Sequence, residues 1–181
     1  MDYIKKVIGE KVYLSLSIKE DLELYAKWLN DPKLNYSFGK SHDAWTLERQ
    51  EAYINDYNNS DDKFFFVIVS QETDEAVGIG LIYDISYVHG KGTMGILIDE
   101  NQQSKGFGKE ASKLILEFAF NILNLNNMML YAIEFNQKAI EMYKSIGFKE
   151  IGKRRKAYPI NNNIYDEVYL DILNEEFNEN R

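Results

Sequence analysis

The sequence predicts an α/β (α+β) domain: a mixed, mostly antiparallel sheet of about seven strands with helices on both faces. Three observations predict it. The hydrophobic period switches between two and 3.6 along the chain, giving strand, two helices, three strands, helix, strand, helix and two strands. The three central strands follow one another through short polar or glycine-marked turns, as antiparallel neighbours do. A long helix then joins two strands, which is how a parallel crossover is made. Hydrophobic residues are 45% of the 181 residues, enough for a sizeable core, and the length suits one domain over 1–181.

The elements follow in order. Lys11 to Leu16 opens as a strand. Ser17 is placed to cap a helix, with Glu20 completing a capping box and Ile18, Leu22, Tyr25 and Leu29 forming the apolar stripe. Asp31-Pro32 ends that helix, and a loop with Tyr36, Phe38, Gly39 and His42 follows. Thr46 caps a second helix that reaches Asn58. Phe64 to Ser70 reads as a buried strand, and Gln71 to Glu75 as a polar turn. Val77, Ile79, Leu81, Tyr83 and Ile85 alternate, so this strand pairs back as a hairpin. Gly90 and Gly92 mark the turn before a strand from Thr93 to Ile98. The long helix runs from Gly106 to Leu123 on the stripe Ala111, Leu114, Ile115, Phe118 and Ile122. Met128 to Ile133 is a strand, and Gln137 to Ile146 a short helix stopped by Gly147. Strands from Lys149 to Tyr158 and from Ile164 to Leu173 flank an Asn161-Asn162-Asn163 turn, and the polar C-terminus is expected to fray.

Charge and composition narrow the function. Lys and Arg number 21 against 29 Asp and Glu, a net charge of −8. Such a chain is poorly equipped to neutralise nucleic-acid phosphates and well equipped to attract cationic amines. With no cysteine, disulfides, thiolate metal sites and covalent cysteine intermediates are excluded, and a reducing cytoplasm fits. The N-terminal MDYIKKVIGEKVYL has no apolar signal region, and the apolar run Phe64 to Val69 is too short to span a bilayer. The expectation is a cytoplasmic protein with no membrane and no nucleic-acid partner. His42 and His89 lack metal-ligand spacing, so no metal is expected.

The strongest chemical signal is a strand ending at Asp99, a turn from Glu100 to Lys105, and Gly106-Phe107-Gly108-Lys109 opening the long helix. Gly106 and Gly108 let a ligand approach the backbone, and the unpaired N–H groups of a helix start favour phosphate. Lys105 and Lys109 add positive charge in an acidic chain. A glycine-rich helix start without a ligand is the bland alternative, because Gly-x-Gly alone is weak. The Walker pattern is absent, and the segment sits mid-chain after an antiparallel hairpin, which disfavours a dinucleotide fingerprint.

Gln103-Ser104-Lys105-Gly106-Phe107-Gly108 resembles the Gln/Arg-x-x-Gly-x-Gly/Ala acetyl-CoA motif of the GNAT N-acetyltransferase superfamily. The stretch Asn136 to Phe148 resembles that family's Asn-x-x-Ala-x-x-x-Tyr-x-x-x-Gly-Phe segment. Trp28-Leu29-Asn30-Asp31-Pro32, Arg154-Arg155-Lys156-Ala157-Tyr158 and Tyr165-Asp166-Glu167 are similar to the subgroup of ribosomal-protein N-terminal and spermidine acetyltransferases. The resemblance covers roughly residues 11 to 174, and its two central motifs are its specific part.

The resemblance implies direct transfer of an acetyl group from acetyl-CoA to a primary amine, either a small molecule such as a polyamine or a protein N-terminus. A catalytically inactive CoA-sensing module is the alternative. On this reading the backbone of Gln103, Ser104, Lys105, Gly106, Phe107 and Gly108 holds the pyrophosphate, with Lys109 adding charge. The Ile96 to Ile98 edge pairs with the pantetheine amides, and an N–H near Leu97 or Ile98 polarises the thioester. Asn136 sits beside the pantetheine arm. Tyr143 is the general acid toward the departing thiolate, with a packing tyrosine as the alternative. Glu134 is the candidate base, with Asp99 and Tyr131 as others. Asn35 to Trp45, the second helix and the Tyr83 to His89 turn rim the acceptor channel through Tyr36, Phe38, Trp45 and Tyr87, unless these close the core. The Lys153-Arg154-Arg155-Lys156 run is a solvated strand edge or a CoA-phosphate contact. Exposed sheet edges allow a homodimer.

Overall fold

An unbroken apolar run such as Phe64–Val69 is satisfied by a strand covered on both faces. The structure, a computed structural model, describes residues 3–38 and 44–179. Its elements are β1 (Lys5–Ile8), β2 (Val12–Ser15), α1 (Leu22–Asn30), α2 (Pro32–Phe38), α3 (Leu47–Asn58), β3 (Phe64–Ser70), β4 (Ala76–Ser86) and β5 (Lys91–Ile98), followed by α4 (Phe107–Glu117), β6 (Asn127–Ile133), α5 (Gln137–Lys144), β7 (Lys149–Ile160), β8 (Asn163–Leu173) and α6 (Asn174–Glu179). The strands form one sheet ordered β1-β2-β3-β4-β5-β6-β8-β7. Every neighbouring pair is antiparallel except β5 and β6, which are parallel and joined through α4. This is the mixed sheet the sequence predicts, with eight strands in place of about seven.

Alternation along β3 divides the core. Phe66 and Ile68 pack with Leu114 and Ile115 of α4 on one face. Phe65, Val67 and Val69 pack with Tyr25, Leu29 and Ile54 of α1 and α3 on the other. Helices therefore cover both faces.

Five local expectations need correction. β1 was not anticipated, because its side chains show no buried alternation; backbone pairing such as Val7↔Leu14 holds it at the sheet edge. The Ser17 capping box does not form. The chain enters α1 through a 3-10 turn, Lys19–Asp21, without a side-chain cap. Pro32 begins α2 rather than opening a loop, since a proline's missing N–H costs nothing at the first helical position. The long helix continues past Glu117 as a single π turn, Phe118–Ile122. The extra residue in that turn rotates the stripe, and Ile122 ends 54% exposed. The C-terminus forms α6 instead of fraying. Phe177 is buried against Phe120, and the Leu173 N–H donates to Glu176, which also pairs with Lys149. The Thr46 cap does form, its hydroxyl accepting from the Arg49 N–H at 3.2 Å.

Buried phenols give the fold a pH limit. Tyr3, Tyr13, Tyr25, Tyr83 and Tyr143 are all pushed above the ordinary tyrosine range, burial being the leading cause in each. Asp21 adds to the effect at Tyr3, and Asp74 at Tyr13. A group with a raised folded pKa contributes stability in full below its unfolded value, here about 10, and loses it as pH rises through the folded value. Thermal melts should therefore be insensitive to these groups up to pH ~9 and fall steadily above pH ~10. A melting temperature unchanged from pH 9 to pH 11 would contradict this.

Candidate active site

The site is made by two strands that part. β5 pairs with β6 only at Lys91↔Asn127, Gly92↔Met128 and Thr93↔Met129. Beyond these, β5 stays paired to β4 as far as Ile98, and β6 stays paired to β8 as far as Ile133. From Met94 and Leu130 onward a cleft of about 640 Å³ opens between them. One edge of β5, from Met94 to Ile98, faces the cleft with no strand beside it among the described residues. An extended ligand bearing amides can pair with that edge as an added strand.

At the end of β5 the chain is built to receive an anion. Gln103 donates from its side chain to the Ile98 carbonyl at 3.2 Å, fastening the turn to the strand. Ser104 and Gly106 take left-handed backbone conformations, with φ of 65° and 90°. Gly106 precedes α4 and has no side chain to cap it, so the first N–H groups of α4 stay available at the positive end of the helix dipole. Gln103, Ser104, Gly106, Gly108 and Lys109 line this end of the cleft. Lys105 binds Gln102 at 2.7 Å and the Phe107 ring packs with the core, so both belong to the turn through their backbones. Lys138 lines the cleft too and donates to the Ser104 hydroxyl at 2.6 Å. Its place inside the Asn136–Phe148 segment is the sequence signal for it, and nothing local ties it to Ser104. A turn of uncapped N–H groups flanked by Lys109 and Lys138 fits a pyrophosphate.

The opposite wall is α5. Asn136 caps it, accepting from the Ala139 N–H at 3.3 Å, and also borders the cleft. Gly147, at φ 119°, ends it, and Phe148 turns back to stack edge-on against Tyr143 at 5.6 Å. These contacts fix Tyr143 in the wall, 7% exposed. Burial pushes its phenol up to about 12, so it stays protonated across the neutral range. Tyr83 is raised as well, by burial and by the neighbouring phenols of Tyr131, Tyr57 and Tyr143.

The candidate bases separate here. Asp99 has both oxygens engaged, by the Trp28 indole N–H at 2.6 Å and the Asn101 N–H at 2.8 Å, and it does not line the cleft. Glu134 follows β6 in a turn, its backbone N–H donating to Asp166 at 3.0 Å, and it is not among the cleft-lining residues either. Tyr131 does line the cleft. Burial and Glu167 raise its pKa.

Of the segments expected to rim an acceptor channel, the second helix and Tyr83 reach the cleft, while the aromatics named for the role divide otherwise. Leu34 and Ser37 of α2, Tyr53 and Tyr57 of α3, and Tyr83 of β4 line it. Trp45 is instead buried in the core, against Tyr53 and beneath the Arg49 guanidinium at 4.3 Å. Tyr87 is exposed and donates to the Asp61 carbonyl at 2.6 Å, and neither it nor Tyr36 reaches the cleft. Gly39 and His42 lie outside the described residues, as does the Phe38 side chain. The Lys153–Lys156 run is a solvated stretch of β7 outside the cleft, with Arg154 near Glu167 at 3.8 Å. Among the described residues no group of three or more His, Asp or Glu is placed to hold a metal, and no helix is long and apolar enough to cross a membrane.

Comparison with known proteins adds to this geometry. A profile of the acetyltransferase (GNAT) domain matches residues 14–169. A spermidine N(1)-acetyltransferase of Escherichia coli (strain K12) is 26% identical over 161 residues, covering 88% of this chain and 84% of that protein. An uncharacterized N-acetyltransferase of Bacillus subtilis, YnaD, is 30% identical over 135 residues, covering 75% of this chain and 78% of its own. Among solved structures, the Vibrio cholerae spermidine N-acetyltransferase in complex with CoA and spermine superposes with a TM-score of 0.86 at 23% identity, covering 93% and 99% of the two chains. A GNAT-family acetyltransferase of Bacillus anthracis gives 0.80 at 19% identity, covering 94% of this chain and 99% of its own.

Proposed function

The chain belongs to the GNAT acetyltransferase family, and on that premise we propose how its cleft carries an acetyl group from acetyl-CoA directly to a primary amine. The observation that carries the reading is one cleft holding three parts: an uncapped helix start, an unpaired strand edge and a buried neutral phenol. The turn from Gln103 to Gly108, with Lys109 and Lys138, holds the pyrophosphate. The free edge of β5 aligns the pantetheine arm beside Asn136. A backbone N–H near Leu97 or Ile98 stabilises negative charge on the thioester oxygen as the amine adds. The Tyr143 hydroxyl donates toward the departing sulfur. The amine enters between α2, α3 and Tyr83. Tyr131 is the base candidate the geometry favours; as a neutral phenol it cannot keep a second proton, so its oxygen takes the amine's proton as its own O–H proton passes to water in the cleft. Glu134 and Asp99 take no part in this scheme.

The retained Tyr143 at the cleft disfavours an inactive CoA-sensing module. Relatives named for spermidine, and a net charge of −8, put polyamines first among the acceptors. The test is release of free CoA thiol from acetyl-CoA with spermidine, spermine, simple monoamines and N-terminal peptides. Turnover with at least one amine is expected, polyamines leading. CoA binding without turnover on any amine would instead favour the sensor.

A further inference from the structure

The phosphate turn is held by a contact from the far end of the chain. Ser104 is a non-glycine residue in the left-handed region, a conformation that persists only where the surroundings impose it. Part of the imposing comes from the turn between β1 and β2. Glu110, in the first turn of α4, accepts from the backbone N–H groups of Glu10 and Lys11, the latter at 3.0 and 3.1 Å to its two oxygens. Lys11 in turn donates from its ammonium to the Lys105 carbonyl at 3.3 Å, on the residue just before Gly106. The Glu110 carboxylate lies so close over Gly9 that a side chain there would displace it. About one hundred residues of sequence separate the two partners, and no local pattern announces them.

We propose that Glu110 and Lys11 are positioning residues that clamp the phosphate turn in its anion-binding shape. The proposal rests on the acetyl-CoA site described above. Its diagnostic value lies in a sign. Glu110 is an anion in the first turn of the helix whose N-terminus receives the pyrophosphate. If it acted only through its charge, removing it would tighten CoA binding, since like charges repel and an acid near the site competes with the ligand for the helix dipole. If it acts as a clamp, removing it loosens the turn and weakens CoA binding despite the lost repulsion.

The experiment is calorimetric titration of the full chain with CoA, alongside steady-state kinetics with a saturating amine. Glu110→Ala is expected to raise the Kd for CoA and the KM for acetyl-CoA about tenfold, with kcat at saturating acetyl-CoA within about twofold. Glu110→Gln keeps an acceptor oxygen without the charge and is expected to stay within about threefold of wild type, on the weaker side. This rescue by the near-isosteric amide also covers the case in which the alanine variant folds poorly. Tighter binding in Glu110→Ala, or an unmoved Kd in it, overturns the clamp. Wild-type protein that binds no CoA would sink the cofactor site and the clamp with it. Wild-type binding with an unmoved Glu110→Ala sinks the clamp alone.

Discussion

Tyr143→Phe is expected to lower kcat by about 10²-fold while leaving the KM for acetyl-CoA within about twofold. Phenylalanine keeps the ring that packs edge-on against Phe148, so α5 and the cleft wall should hold. Only the hydroxyl is lost, at a position 7% exposed where water replaces it poorly. The size of the effect follows from the acidity. A phenol pushed up to about 12 by burial is a weaker acid than an ordinary thiol at about 8.5, so full transfer to a departing thiolate runs uphill. Tyr143 therefore serves mainly by donating a hydrogen bond to the sulfur as charge develops, which places the loss at the lower end of the range for general acids. The same acidity fixes the pH profile. No falling limb from Tyr143 should appear between pH 6 and roughly pH 10, because the group ionises only above that window. An unchanged kcat in Tyr143→Phe, with single-turnover kinetics showing chemistry to be rate-limiting, would remove Tyr143 from the mechanism.

What the sequence revealed about the site is what local geometry encodes. The segment from Gln103 to Gly108 is one turn at the start of one helix, and the spacing of its glycines is enough to read it. Asn136, Gly147 and Phe148 are cap, stop and packing partner of a single short helix, so the position of Tyr143 could be inferred from its neighbours in the chain. What escaped was decided by strand pairing or by distant contacts. Lys138 matters because α5 swings it onto Ser104, 34 residues earlier, across the gap that the short β5–β6 ladder leaves open. Trp45 and Tyr87 are aromatic and near the expected rim, but packing draws one into the core and a backbone carbonyl draws the other outward. The fold behaved alike. Elements with a buried stripe or a hairpin were legible, whereas β1, α2 and α6 owe their form to an edge pairing, a proline at a helix start and the docking of Phe177.

The paired variants Gly106→Ala and Gly108→Ala separate strain in the protein from obstruction of the ligand. Gly106 has φ 90°, where an alanine carries roughly 1–2 kcal/mol of strain, and its Cβ would stand 3.2 Å from the Lys11 ammonium. This variant should melt at a lower temperature and bind CoA more weakly, because the turn itself must shift. Gly108 is different. It lies inside α4 with an ordinary helical backbone, and its Cβ would meet Ile98 at 3.5 Å and Met142 at 3.6 Å, normal contact distances. Alanine is the better helix former by up to about 1 kcal/mol, so Gly108→Ala should melt slightly above wild type. Yet Gly108 lines the cleft, and a methyl group there occupies the space through which a pyrophosphate approaches the N–H groups of α4. The KM for acetyl-CoA should rise about tenfold in a protein that is, if anything, more stable. Affinity falls in both variants while stability moves in opposite directions, a combination that general unfolding cannot produce. CoA binding at wild-type strength in Gly108→Ala would mean that the cofactor does not approach the start of α4, and the phosphate site would have to be sought elsewhere along the cleft.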